Sequence, residues 1–446
     1  MAQAVAAYDR YLSDFRALER SAAERSPQWL RQLRSQALER FQEVGLPTAR
    51  QGNEPWKYTN IARIAGTDFT YAAAREGPRP ADLRKLAPWD DGWTNLVFVN
   101  GRYSAALSSL RTDLDGARAM SLAAALRADG SLAQEHLARH AAFEEDGFVA
   151  LNTAFLHDGA FVHVPAGRSL PAPLHLVFVS ADGEPAVSYP RTLIVADSHS
   201  KLTVIESYVG PSGSGYLSDA VTEIVLGEGA QVDHYRLLLD GKDAFHVGIS
   251  RVYQGRDSTF ASTSFAAGAA LGRNDFRVLL DAPGASCSLR GLYVTSGTQH
   301  IDNYIYIDHA QPHTTSRLYY KGILDDRSRA VFGGTVLVRP GAIKTDAYQE
   351  DKNLLLSAEA EVDSKPSLEI YADDVKCGHG ATAGAPSDDI VFYMKSRGLD
   401  PETAARFLIK GFAAEILDTI RVSPLRRQLE RRAMAAIPRL RQEAAA

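Results

Sequence analysis

The sequence predicts a mainly β chain, with a parallel β-helix (β-solenoid) core flanked by α-helical regions at both ends. Three observations carry that prediction. Short apolar-alternating runs of strand length crowd residues 160–372, most of them separated by Gly, Asp, Ser or Pro. Small-residue corners precede outbound strands at Gly229-Ala230, Asp257-Ser258 and Gly284-Ala285, spaced 28 and 27 residues apart, with later corners at Gly341-Ala342 and Glu359-Ala360 separated by 18. A degenerate repeat of that size, with strands between its corners, is the signature of rungs stacked on one another. Helical periodicity is nearly absent from the stretch, which excludes a doubly wound α/β fold and leaves a two-sheet sandwich as the alternative.

The elements follow in order. Ser26-Pro27 opens a helix whose apolar stripe is Trp29, Leu30, Leu33, Leu38 and Phe41, and Gly45 with Pro47 ends it. Gln51–Asn60 is too punctuated for a regular element. Leu96–Val99 is a short strand running into the turn pair Asn100-Gly101, and helical segments are expected near 117–129 and 131–143. Strands are then expected at 160–165, 174–179, 191–195, 201–209, 220–226, 231–239, 277–280, 288–294, 303–307, 317–324, 330–338 and 353–356. After Ser387, helices return over Ile390–Arg397. Asp400-Pro401 opens a second, with Phe407, Leu408, Phe412, Ile416, Leu417 and Ile420 as its apolar residues. Ser423-Pro424 opens a third, with Leu425, Leu429, Ala433 and Ile437 in register. The expected domains are an N-terminal helical and mixed region (1–155), the β-helix core (156–386) and a C-terminal helical module (387–446).

Composition narrows the function classes. The net charge of −5 over 446 residues offers no electrostatic reason for nucleic acid or an acidic membrane as partner. Two cysteines, Cys287 and Cys377, cannot build a disulfide framework, which suits a reducing compartment. The charged N-terminus lacks a signal core, and no run reaches the ~18 apolar residues of a membrane span. The expectation is a soluble cytoplasmic protein. Neither a P-loop nor a Gly-x-Ser-x-Gly elbow occurs. His309-x-x-x-His313, near His300, resembles a metal fragment, but Pro312 interrupts it. The run Arg426-Arg427 to Arg431-Arg432 reads as a solvated helix face.

The most informative stretch is Asp373–Thr382, which places Cys377 and His379 two residues apart after the alternating segment Ser367–Ala372. Residues i and i+2 of a strand share a face, so thiol and imidazole could stand side by side, a pair suited to iron, zinc or copper. Two ligands do not close a tetrahedral site. The rest must come from elsewhere in the fold or from a second chain. On the residues alone, a half-buried cysteine beside a capped histidine in a Gly-rich turn is the more ordinary reading.

A longer string changes the weighing. Leu337-Val-Arg-Pro-Gly-Ala342, Lys344-Thr-Asp-Ala347, Asn353-Leu-Leu-Leu-Ser357 and Glu361-Val-Asp-Ser-Lys-Pro366 lead in order to Asp373–Thr382 and to Phe392-Tyr393…Ser396-Arg397-Gly398. The string resembles the core domain of the SufB/SufD family, scaffold subunits of the SUF iron–sulfur cluster assembly complex. Glu54-Pro-Trp-Lys-Tyr58, Gly380 where the B subunit usually carries glutamate, and the poverty in cysteine resemble the D subunit. The resemblance implies a right-handed parallel β-helix without catalysis of its own, in complex with a B subunit and an ABC-type ATPase docked on residues 387–440. That would account for the missing P-loop, nucleotide being handled in trans. It also implies a role in iron acquisition. His379, with Cys377 beside it, would be a ligand of iron or a transient cluster at the B–D interface, while Cys287 reads as a core cysteine. Many relatives carry a cysteine just after the His-x-x-x-His segment, where this chain has Thr314.

Two other readings remain: a B-like scaffold acting as a homodimer, against which the cysteine count argues, and a β-helix enzyme acting on carbohydrate, which would need a groove lined with carboxylates. An isolated chain could also pair with itself.

Overall fold

The computed structural model describes residues 2–22, 26–50, 52–72, 77–181, 185–213 and 215–436; Ile437 and the remainder of the expected C-terminal module lie outside them. The N-terminal region contains α1 (Ala2–Ala22), α2 (Gln28–Val44), α3 (Ala62–Gly66), β1 (Thr70–Tyr71), α4 (Pro80–Leu86), β2 (Thr94–Val99), β3 (Arg102–Tyr103), β4 (Arg118–Ser121), α5 (Leu122–Ala128), α6 (Ser131–His136) and α7 (Gly147–Ala154). The core strands are β5 (Gly159–Val164), β6 (Leu174–Val179), β7 (Ala186–Ser188), β8 (Arg191–Ala196), β9 (Lys201–Val209), β10 (Leu217–Leu226), β11 (Gln231–Leu239), β12 (Phe245–Gln254), β13 (Thr259–Ala266) and β14 (Leu271–Leu280). They continue with β15 (Ser286–Thr295), β16 (His300–His309), β17 (Thr315–Leu324), β18 (Arg329–Val338), β19 (Asp346–Leu355), β20 (Glu361–Ile370) and β21 (Lys376–Gly384). Three helices follow: α8 (Asp388–Ser396), α9 (Pro401–Leu417) and α10 (Ser423–Ala436).

From β8 onward, successive strands alternate between two parallel sheets. One runs β20-β18-β16-β14-β12-β10-β8-β5-β4 and the other β21-β19-β17-β15-β13-β11-β9-β6-β2-β3. This is a parallel β-solenoid, and each turn contributes one strand to each sheet. From β9 on, second-sheet strands begin 27 to 31 residues apart, so the corner repeat legible at 229, 257 and 284 is the rung itself. Each such corner places one residue in the left-handed region two positions before its strand: His199, Gly229, Asp257, Gly284, His313, Lys344 and Asp374. The next residue is small and enters the core: Ser200, Ala230, Ser258, Ala285, Thr314 and Thr345 are all buried. Glycine is obligatory at only some of these positions; a Cβ on Gly284 would meet the Asp257 carboxylate at 1.9 Å.

Several expectations need correction. The 18-residue spacing between Gly341-Ala342 and Glu359-Ala360 is not a rung, because β19 and β20 lie in opposite sheets. The helix expected from 117 starts at Leu122, because Arg118–Ser121 pairs antiparallel with β5 and the Ser121 hydroxyl accepts from Ala124 N as the helix cap. The helix expected over 131–143 ends at His136. Strand β12 was not foreseen, and β13 only as the outbound strand after the Asp257-Ser258 corner, since His246, Arg251, Ser262 and Ser264 interrupt the apolar pattern while being buried.

The N-terminal region packs on the outer face of the first sheet. Phe148, Leu151 and Phe155 meet Tyr189, Leu217, Val247 and Ile249 in one apolar cluster. A buried ion pair, Arg191–Glu223 at 2.6 Å, lies beneath, and Glu223 also accepts from the backbone N–H of Ala138, His140 and Ala141. Charge burial is tolerated here because the Glu223 carboxylate is fully met and both terminal nitrogens of Arg191 are bonded, Nη2 to Glu223 and Nη1 to Asn152 and Thr153. The Glu54–Tyr58 motif forms a strap: the Arg273 guanidinium lies 3.9 Å over the Trp56 ring, Thr59 donates to Asp302 at 2.6 Å, and Glu54 pairs with Lys365 on β20.

The C-terminal helices cover the outer face of the second sheet. Ile409, Ala413, Ile416, Leu425 and Leu429 pack on Ile205, Leu237, Phe265 and Ile323. Phe407, expected on the apolar stripe, points outward instead and is 54% exposed. No helix among the described residues is long and apolar enough to cross a membrane.

Candidate functional site: the open end of the solenoid

Among the described residues, strand β21 ends its sheet and pairs only with β19, as β20 ends the other and pairs only with β18. Two parallel strand edges therefore lie open at the same end of the solenoid. The corner before β21 is fixed by Asp374 in the left-handed conformation, by Lys344 N donating to Asp374 O at 2.9 Å, and by the Lys344–Asp374 ion pair. The acids at 373–374 thus act through the turn, as Asp commonly does.

Register decides where Cys377 and His379 point. Cys377 stacks on Ala347 and His379 on Gln349, and both lower residues are buried. In-register neighbours of a parallel sheet share a face, so Cys377 and His379 occupy lumen-facing positions. They are left partly or wholly uncovered because no rung follows. Cys377 is half-buried against the core and His379 is exposed. Burial raises the Cys377 thiol above its ordinary value, partly offset by hydrogen bonding with the Ala347 backbone, so the resting group is a thiol rather than a thiolate.

The floor of this cup is polar. Gln349, Asp351 and Asn353 all face the lumen and are buried. Gln349 Nε2 donates to Ser367 O at 2.9 Å, Asn353 Nδ2 and the Ser364 hydroxyl each donate to Asp351 Oδ2 at 2.7 Å, and Tyr293 OH donates to Asn353 Oδ1 at 2.5 Å. Burial pushes the Asp351 carboxyl up to about 6 against these donors. Sequence reasoning missed all three floor residues. The expected strand begins only at Asn353, and the signal available for 349, 351 and 353 was their parity with the later Cys-x-His.

Among the described residues no group of three or more His, Cys, Asp or Glu side chains is placed to hold a metal ion. Cys377 and His379 by themselves amount to two donor side chains, half of what a tetrahedral centre requires. The other candidate histidines do not converge. His309 is a core residue, Nδ1 bonded to Thr314 at 2.7 Å and Nε2 to Ser316 at 2.9 Å; His313 is a corner residue; His300 sits in the first sheet against Thr59 at 3.1 Å. Thr314, buried and bonded to His309, fills a polar core position here. Cys287 lies in the same lumen column as Cys377, three second-sheet strands below it through Ser316 and Ala347. It is buried, and desolvation drives its thiol far up, leaving it inert.

A second exposed feature lies on the C-terminal helices. Ile390, Phe392, Tyr393 and Phe407 are 48–73% exposed on α8 and the start of α9, an apolar patch of the kind that marks a contact surface.

Comparison with known proteins bears on the family of the chain. A family profile described as the SUF system FeS cluster assembly SufBD core domain matches residues 178–412, and one for the SufBD N-terminal region matches residues 5–176. The chain is 30% identical over 423 residues to the iron–sulfur cluster assembly protein SufD of Escherichia coli (94% of this chain, 95% of the relative). It is 34% identical over 389 residues to a SufBD family protein of Synechocystis (84% and 85%) and 26% identical over 427 residues to SufD of Bacillus subtilis (94% and 95%). With the core profile matching over half of its length and its strand order that of a parallel solenoid, the chain belongs to the SufB/SufD family of the SUF iron–sulfur cluster assembly system.

Proposed function

We propose that this chain is a D-type, non-catalytic scaffold subunit that assembles iron–sulfur clusters at an interface between the open end of its solenoid and a B-type subunit. The observation that carries the reading is the placement of Cys377 and His379 on lumen-facing positions of a terminal strand that no rung covers. A partner extending the sheets across those edges would bury the pair and supply the missing ligands. Iron or the nascent cluster is cargo in this scheme. Imidazole holds iron–sulfur centres less commonly than thiolate, which suits a cluster that must be passed on. Cys377, protonated at rest, would give up its proton on taking up metal. Support for iron acquisition would follow from the same ligands. Without its intended partner, the chain could pair two copies through the same open edges.

The exposed patch Ile390, Phe392, Tyr393 and Phe407 is the docking face for an ABC-type ATPase in the cytoplasm, which binds the nucleotide that this chain does not. Motion of that subunit would reach the solenoid through α9, whose Glu415 pairs with Lys321 on β17 at 2.8 Å. The test is co-purification with B-type and ATPase subunits. Phe392→Asp with Phe407→Asp is expected to lose the ATPase while retaining the B-type subunit. Retention of both would overturn the docking assignment.

A further inference from the structure

Two asparagines stand inside the solenoid with their amides unbonded. Asn274 on β14 and Asn303 on β16 are in-register neighbours, on the same parity as Phe276, Ile305 and Ile307 of the lumen core. Strand stacking sets them about 4.8 Å apart. Both side chains are buried, and Nδ2 and Oδ1 of Asn274 and Nδ2 of Asn303 have no hydrogen-bond partner among the described residues. An amide sealed from water with its groups unmet carries its full desolvation cost. The two asparagines border a cavity of about 20 Å³, whose wall also includes Arg236, His246 and Ser264 among the apolar Leu238, Ala266 and Ile301.

The neighbouring polar groups are largely committed elsewhere. Arg236 Nη1 donates to Glu206 Oε2 at 3.0 Å and to Ser250 Oγ at 3.3 Å, and His246 Nδ1 faces Asp240 Oδ2 at 3.2 Å. Ser264 Oγ has the Tyr320 hydroxyl, at a long 3.4 Å. The asparagines therefore need a small polar partner from outside the chain. On the same measure of volume, one water needs about 10–15 Å³ and two to four polar partners. The cavity has room for one, with two amides and a hydroxyl to hold it.

We propose that this cavity is a water-binding site: a single ordered water bonded to the Asn274 amide, the Asn303 amide and the Ser264 hydroxyl. The water ties the two sheets together across the lumen, since the asparagines belong to one sheet and Ser264, on β13, to the other. With rungs stacked on either side, it leaves only when the solenoid opens locally, so it is long-lived.

The test is a crystal structure of the full chain at a resolution that shows ordered water. The expected density is one peak within about 2.7–3.2 Å of both asparagine side chains and of Ser264 Oγ. In solution, oxygen-17 relaxation dispersion should count one long-lived water fewer in the double variant Asn274→Leu with Asn303→Leu than in the wild type. A cavity without density, a direct amide–amide bond between the asparagines, or a peak touching only one of them would overturn the proposal. So would an unchanged water count in the double variant, or xenon bound in the cavity under pressure, which marks a dry hole. The wild-type density alone decides if the double variant does not fold.

Discussion

Asp351 offers a quantitative check on the polar floor beneath the terminal strand. Its carboxyl is pushed up to about 6 by burial, against an ordinary value near 3.9. The folded protein therefore holds this proton more tightly than the unfolded chain does. Between roughly pH 4 and pH 6 the native state binds more protons than the unfolded state, so stability falls as pH rises through that window. The loss is complete above about pH 6 and absent below about pH 4. A shift of about two units corresponds to about 3 kcal/mol. Asp351→Asn preserves the shape, keeps an acceptor for Asn353 and Ser364, and removes the ionisation. The stability difference between variant and wild type should thus move by about 3 kcal/mol in favour of the variant from pH 4 to pH 8. For a chain of 446 residues, whose unfolding entropy scales as about 2.1 cal/mol/K per residue, this is a relative Tm change of about 3 °C. Paired calorimetric scans at the two pH values measure it. Parallel behaviour, with the same difference at both, would show that Asp351 ionises as it does in water and would refute the description of the floor.

Two further outcomes follow from the same geometry. Glu415→Ala removes the carboxylate facing Lys321, whose side chain is 1% exposed and whose ammonium keeps Phe412 O at 3.0 Å and the Phe412 ring at 3.9 Å. Because Glu415 is itself half-exposed, the expected cost is about 1–2 kcal/mol rather than that of a fully buried pair, and hydrogen exchange of the α9 amides should rise about tenfold. Under native conditions a maleimide should modify Cys377 and leave Cys287 untouched until denaturant is added, a result read by counting adducts in intact mass spectra.

The legible parts of the fold were those where burial coincides with apolarity. Strands such as β6 and β8 are nearly unbroken apolar runs, and the helix at 401–417 announces itself through Asp400, whose carboxylate accepts from Thr403 N at 2.9 Å. The apolar pattern of β12 and β13 was illegible, though a corner announced β13, because the solenoid interior and its covered outer face accept paired polar groups. Arg251 is buried against Asp275 at 2.6 Å, and His234 lies between Ser262 at 2.9 Å and Glu206 at 3.2 Å. The repeat could be read at Gly229, Asp257 and Gly284 but was lost at His313 and Lys344, where larger side chains than Gly or Asp take the same left-handed geometry. At the site, the i, i+2 spacing of Cys377 and His379 carried the pairing, and the resemblance carried its chemistry. Gln349 and Asp351 became visible only through register, because a polar residue facing a lumen and one facing solvent look alike in a sequence.

The central claim is that His379 holds cluster or iron at the open end of the solenoid. The most direct measurement is the iron and acid-labile sulfide content of the complex purified anaerobically after co-expression with B-type and ATPase partners, comparing wild type with His379→Ala. The account predicts equal recovery of the assembled complex and a large loss of iron and sulfide in the variant, since an exposed terminal side chain contributes little to the fold. Equal iron and sulfide in both complexes would contradict it and leave His379 no role as a ligand.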